Sequence, residues 1–289
     1  MTTQIVTPGQ KRQVRKLANE AIERLLNSGD QYLNRQAVQR LLGRGNDFQS
    51  RIETGIKELL VSDLYSDEEV PSNYGYPRSY KIKDINEQVD CLRSIFRGIG
   101  FANLSLAKSP LPAGADGWFA IPRWEALAAN YDEAVSFMLK TIRAYRRLSN
   151  SLEEVWGKSM RQDNRSAEML QTIADRQSGY DILIVPAQFG ILHRGLSTRR
   201  AREVFAPNEF GLGTFAVGSM LLTHPRRISF WDWRDLDVDC PGDECSFRGE
   251  VEFYMTPRFS QQSFDVEYYT LHFSNSYKHS ASVSGFLPE

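Results

Sequence analysis

His193, Arg194, Arg199, Arg200 and Arg202 lie within ten residues, and Ser197 and Thr198 stand among them at an expected helix start. The first turn of a helix leaves backbone N–H groups free and carries the positive end of the helix dipole. Hydroxyls and guanidinium groups gathered there suit an anion, a phosphate above all. Arg199 and Arg202, three apart, share one helix face, and Arg226 and Arg227 would extend the basic surface. The competing arrangement is a solvated helix whose arginines pair with Glu203, Glu209 or the acids further on.

Those acids form the second cluster. Asp235, Asp237 and Asp239 alternate, and Pro241-Gly242 turns the chain into Asp243-Glu244. Alternating carboxylates followed by a turn suit a divalent cation, with Asp237, Asp239, Asp243 and Glu244 as ligands. The EF-hand pattern fails, because its sixth position is Cys240 instead of glycine and its twelfth is Ser246 instead of glutamate. Asp and Gly are ordinary turn residues, and these carboxylates could instead pair with the arginines, which would make both clusters structural.

Weaker signals complete the inventory. Cys240 and Cys245 frame the turn as half of a zinc site that His272 or His279 would have to complete, or as a candidate nucleophile. Gly211-Leu-Gly213 with Ala216 fits the dinucleotide fingerprint formally, but the polar Asn208-Glu209 before it does not read as the required strand; close backbone packing explains the glycines better. Phe230, Trp231 and Trp233 suit base or sugar stacking, or the cover of a small sheet.

The chain that must position these groups has 289 residues, 41% hydrophobic and 11% aromatic, enough for a substantial core. Its net charge of −1 excludes a globally basic nucleic-acid binder, so any electrostatic function is local. There is no apolar leader at the N-terminus and no run long enough to cross a bilayer. Three cysteines do not make a disulfide framework. These features predict a soluble cytoplasmic protein with no membrane partner.

Apolar periodicity predicts three helices between Gln10 and Leu60, a module with ten Lys/Arg against six Asp/Glu. Arg35, Arg40 and Arg44 would touch phosphates if it resembled a helix-turn-helix. Residues 62–78 read as a linker, and 79–289 as the main domain. In that domain, Asp84 and Asn130 each cap a helix, and Ser151 and Ser166 begin two more. Trp118–Ile121 reads as a strand, and Tyr180–Val185 as one buried on both faces and ended by Pro186. Thr214–Thr223 fits a strand or a buried helix equally. Alternation after Arg227 predicts a small antiparallel sheet, with a phase change at Tyr268-Tyr269 that suggests a bulge.

Gly117–Trp124, Tyr180–Gly195, Arg199–Phe205 with Asn208–Gly213, and the Asp-Cys-x-Gly-Asp-Glu run at Asp239–Glu244 resemble a set of proteins of small-genome bacteria that has no known activity. The resemblance spans roughly residues 84–289; it implies a bacterial, cytoplasmic origin and no mechanism.

The fold expected is therefore α+β: a helical N-terminal module, then helices packed on a sheet with antiparallel strands at the C-terminus. The function expected first is binding of a phosphate-rich ligand, nucleic acid foremost, through His193, Arg194, Ser197, Thr198, Arg199, Arg200 and Arg202, with no cofactor. The second is a metal-assisted hydrolase using Asp237, Asp239, Asp243 and Glu244. A third is a structural or assembly component, with a protein partner or a second copy. Whether the chain is an enzyme stays open at this stage.

Overall fold

The computed structural model describes residues 64–145, 148–150, 160–228, 237–246, 252–262 and 265–288, with isolated positions in the N-terminal stretch. Contacts divide the chain into one unit at Met1–Val61 and another at Ser62–Glu289. The three expected N-terminal helices with Arg35, Arg40 and Arg44, the helix at Ser151, and Phe230, Trp231, Trp233 and Asp235 lie outside the described residues. The second unit is as follows.

It is an α+β domain. Its helices are α1 (Ile85–Ile95), α2 (Tyr131–Tyr145), α3 (Asn164–Arg176), α4 (Thr198–Val204) and α5 (Thr214–Thr223). Its strands are β1 (Gly117–Pro122), β2 (Leu148–Asn150), β3 (Met160–Gln162), β4 (Ile182–Arg194), β5 (Glu209–Gly211), β6 (Asp237–Asp239), β7 (Asp243–Cys245), β8 (Met255–Gln262), β9 (Asp265–His272) and β10 (Ser280–Phe286). Among the described residues they form one mixed sheet in the order β1-β4-β10-β6-β8-β7-β3, with β5 also on β10, β9 on β8 and β2 on β9. β10 runs parallel to β6, and β2 to β9; the other pairs are antiparallel.

The caps behave as their side chains dictate. Asp84 accepts from the Asn86 N–H, and Asn130 from the Glu133 N–H. Asp163, not Ser166, caps α3, accepting from the Ser166 N–H and hydroxyl. Thr214–Thr223 resolves as a helix buried along all ten residues, which is why periodicity left it undecided. Gly218 lets it lie against α2, for a Cβ there would collide with Met138.

The central strand is longer than expected. β4 runs through Pro186, which pairs with Trp118 of β1, whereas β10 joins only from Ala187 onward. A proline is tolerated where its missing N–H falls outside a ladder. The C-terminal strands are not a separate antiparallel sheet, because β10 inserts between β4 and β6. The β8–β9 register is continuous through Tyr268 and Tyr269, so no bulge lies there. The irregularity falls in β4, where the five steps from Gln188 to His193 face only the two from Ser282 to Ser284 of β10, and the extra residues include Gly190 at φ 114°.

Two buried glutamines complete the sheet by side chain. Gln88 of α1 donates to Trp118 O at 2.9 Å and accepts from Ala120 N at 3.0 Å, as a neighbouring strand would at the free edge of β1. Gln177, after α3, does the same for Ile184, donating to its carbonyl and accepting from its N–H, both at 2.9 Å. They hold α1 and the end of α3 in fixed register against β1 and β4.

Residues 64–78, expected as a linker, run along this unit. Val70 N donates to Gly195 O, and the Tyr76 hydroxyl bonds Asp116.

Candidate functional site

The arginine cluster is assembled as its chemistry requires, but its anions are the chain's own. Ser197 caps α4, and its hydroxyl donates to Glu68 Oε2 at 2.6 Å. Arg199 forks onto the same Glu68 carboxylate. Arg200 pairs with Glu69, and with Glu203 at 2.9 Å. Burial would raise the Glu68 carboxyl, and the hydrogen bonds and charge supplied by Arg199 and Ser197 hold it below its ordinary value. His193 meets Glu209 at 2.6 Å, in a buried pair that also engages the Ser284 hydroxyl. The Thr198 hydroxyl is buried without a hydrogen-bond partner. Arg194 stands apart: it is exposed and donates to Tyr74 O at 2.8 Å.

The acid cluster does not converge. Asp239 is fully buried and holds Arg258 by two bonds, at 2.5 and 3.1 Å. Asp237 accepts from Ser260 Oγ at 2.7 Å, with Arg258 and His279 beyond. Glu244 takes Arg161 and Arg202, each at 2.9 Å. Arg202 also donates to Pro241 O, so the two clusters meet where it clamps the β6–β7 turn. Among the described residues no group of three or more His, Cys, Asp or Glu side chains is placed to hold a metal ion. Burial pushes the Cys240 and Cys245 thiols upward, which keeps them protonated and unreactive.

Asp243 has a different neighbourhood. It is fully buried at the start of α5, accepting from the Thr214 N–H at 2.5 Å and from the Tyr131 hydroxyl at 2.7 Å. Gly213, the cap residue, has to be glycine, because a Cβ would collide with both the Asp243 carboxylate and the Tyr131 oxygen. β5 does precede this turn directly, so the strand-glycine-helix order of a nucleotide loop is present. The β6–β7 turn fills the space a phosphate would need: Gly211 and Gly213 abut Pro241, Gly242 and Asp243. Burial raises the Asp243 carboxyl from 3.8 to about 6, against the hydrogen bonds that lower it.

Beside this turn opens a cleft with a cavity volume of about 130 Å³. Its walls come from the end of β1 (Ile121) and the turn after it (Trp124), the first turns of α2 (Tyr131) and α5 (Phe215), and one face of α3 (Leu170). Trp124 meets Tyr131 edge to face, with centroids 6.2 Å apart. Arg123, at the rim, donates to Tyr180 O at 2.6 Å, to Gln177 O at 2.9 Å, and to Ala174 O. It therefore caps the C-terminal end of α3 and fixes that wall against β1. The N–H groups of Phe215 and Ala216, in the first turn of α5, have no acceptor within the helix.

Comparison of the chain with protein-family profiles, curated proteins and solved structures finds no match. The candidate site therefore rests on its own geometry.

The residues of this cleft are ones the sequence does not group. Tyr131 reads there as one apolar contact of the longest helix, and Phe215 as part of the glycine turn and the apolar run from Thr214 to Thr223. Asp243 is singled out, but as a metal ligand beside Glu244; in the fold the two side chains serve different partners.

Proposed function

We propose that this protein is a binding protein for a small, flat, mostly apolar molecule, held in the cleft between α3, α5 and the end of β1. The observation that carries this reading is an aromatic and aliphatic cleft lying beside a buried carboxylate of raised pKa, the combination that marks ligand sites. Size narrows the ligand. An apolar cavity of roughly 150 Å³ holds one benzene-sized ring, so about 130 Å³ suits a single ring and not a nucleotide. A cytoplasmic location belongs to the same reading; among the described residues no helix is long and apolar enough to cross a membrane.

Blocking the cleft tests this. Ala167 lines it from α3 and is only partly buried, so Ala167→Phe fills the space without entering the core. Saturation-transfer NMR with toluene, aniline and pyridine should show binding to the native protein and none to the variant, at unchanged thermal stability. Equal binding by both proteins would rule the cleft out.

A second reading has one specific support. Exposed Arg194 donates to the Tyr74 carbonyl, and the Tyr74 ring leads to those of His279 and Tyr277, with neighbouring ring centroids 6.2 and 5.8 Å apart, a surface on which a polyanion with stacking bases would fit. It replaces the arginines of α4, which are committed to Glu68, Glu69, Glu203 and Glu244.

A further inference from the structure

We infer that the cleft selects a ring carrying a positively charged group, an aromatic ammonium, and that Glu125 at its mouth is the residue that reads the charge. This rests on the cleft reading above and names its ligand class. Glu125 is exposed and lines the cleft from the turn Trp124–Ala126, which follows β1. It is the one carboxylate among the residues lining the cleft, and among the described residues it has no hydrogen bond or ion pair. Arg123, its neighbour in sequence and the one cation in that wall, is committed to three carbonyls around the C-terminal end of α3. Those bonds also anchor the turn, since the Ala126 N–H donates to Arg123 O, and so they fix the Glu125 backbone at the cleft.

The rings beside it are in the same condition. Elsewhere the chain lays its own arginines on aromatic faces: Arg93 on Phe101, Arg161 on Phe253 and Arg199 on Tyr65. Trp124 and Tyr131, half-buried in the cleft wall, carry no cation among the described residues, although an indole ring is the best partner for one. A carboxylate and two electron-rich rings, all without a cation, thus converge on one cavity. The opposite sign is disfavoured. An anion would have to reach the first-turn N–H groups of α5, but Phe215 and Ala216 are 3% and 4% exposed. Asp243, ionised above about pH 6, already accepts from Thr214 N in that turn, and two negative charges in a buried corner repel. Gln162, from β3, also has no side-chain hydrogen bond among the described residues, but an amide both donates and accepts and so suits either sign.

Three probes of one ring each test this at pH 7: benzylamine, which is protonated there, toluene, which is neutral, and benzoate, which is an anion. By ligand-observed NMR titration, the native protein should bind benzylammonium about tenfold more tightly than toluene, the scale of a cation–π contact added to a rim ion pair, and benzoate more weakly than toluene. Glu125→Gln keeps the shape of the side chain and removes its charge at an exposed position. That variant should unfold at the native temperature, hold toluene unchanged and lose most of the preference. Added salt should narrow the preference of the native protein. If benzoate binds more tightly than toluene, the N–H groups of α5 read the ligand and cation selection is wrong. An equal preference for benzylammonium in both proteins would remove Glu125 from its role. If toluene binds and benzylammonium binds no better, the inference fails and the cleft stands. If none of the three binds, the cleft and the inference fall together.

Discussion

Asp239→Ala is expected to lower the unfolding free energy by about 3–5 kcal/mol, the usual result of removing one partner from a buried ion pair. Asp239 is fully buried, and Arg258 is 2% exposed. Without the carboxylate the guanidinium has no water to turn to, and Asp237 is held by Ser260 and stands 3.8 Å from Arg258. A guanidinium stays protonated in proteins, so loss of its proton offers no escape. Urea unfolding should therefore show a much lower midpoint. The double replacement Asp239→Leu/Arg258→Met should recover most of the loss, since two apolar side chains leave no unpaired charge. A single variant as stable as the native protein would mean that Arg258 finds another partner.

Asp243→Asn is expected to stabilise the protein above pH 6, by up to about 3 kcal/mol, taken as about two pKa units at 1.36 kcal/mol each. The sign follows from proton counts. The Asp243 carboxyl is raised in the folded state from 3.8 to about 6, so between those values the folded chain holds a proton that the unfolded chain has lost. Stability from this group therefore falls as pH rises from about 4 to 6, and stays low above. Glu209 contributes in the opposite sense: burial raises it, but His193 and Ser284 hold it below its ordinary value, so its contribution is lost in acid. The difference between native and variant isolates Asp243. Unfolding free energies at pH 4 and pH 8 should diverge by this amount at pH 8 and nearly coincide at pH 4. Coincidence at both would mean that Asp243 is not destabilised by burial.

Local grammar carried much of the fold. The caps at Asp84 and Asn130, the short helix behind Ser197 and the buried run at Ile182 were legible because each depends on near neighbours. Pro186 within β4 was not, since its tolerance depends on where β10 joins the ladder, a partner about 100 residues away. The insertion of β10 between β4 and β6 is likewise long-range. At the candidate sites the chemistry was legible and its partners were not. A helix start rich in hydroxyls and arginines does hold an anion, but that anion is Glu68, about 130 residues earlier. Asp243 occupies the corresponding place at α5. Sequence spacing cannot separate a phosphate site from one filled by a distant carboxylate. The cleft was invisible for the same reason, being shared among five stretches of chain.

The measurement that tests the account most directly is a backbone and indole chemical-shift map of the protein with aniline, then with a short oligonucleotide. The cleft reading predicts aniline-dependent shifts at Trp124, Tyr131, Phe215 and Ala216, and none at Arg199, Arg200 or Arg202. A cleft silent to aniline, with oligonucleotide shifts gathered at Arg194, Tyr277 and His279, would contradict it and place the binding surface at the other end of β4.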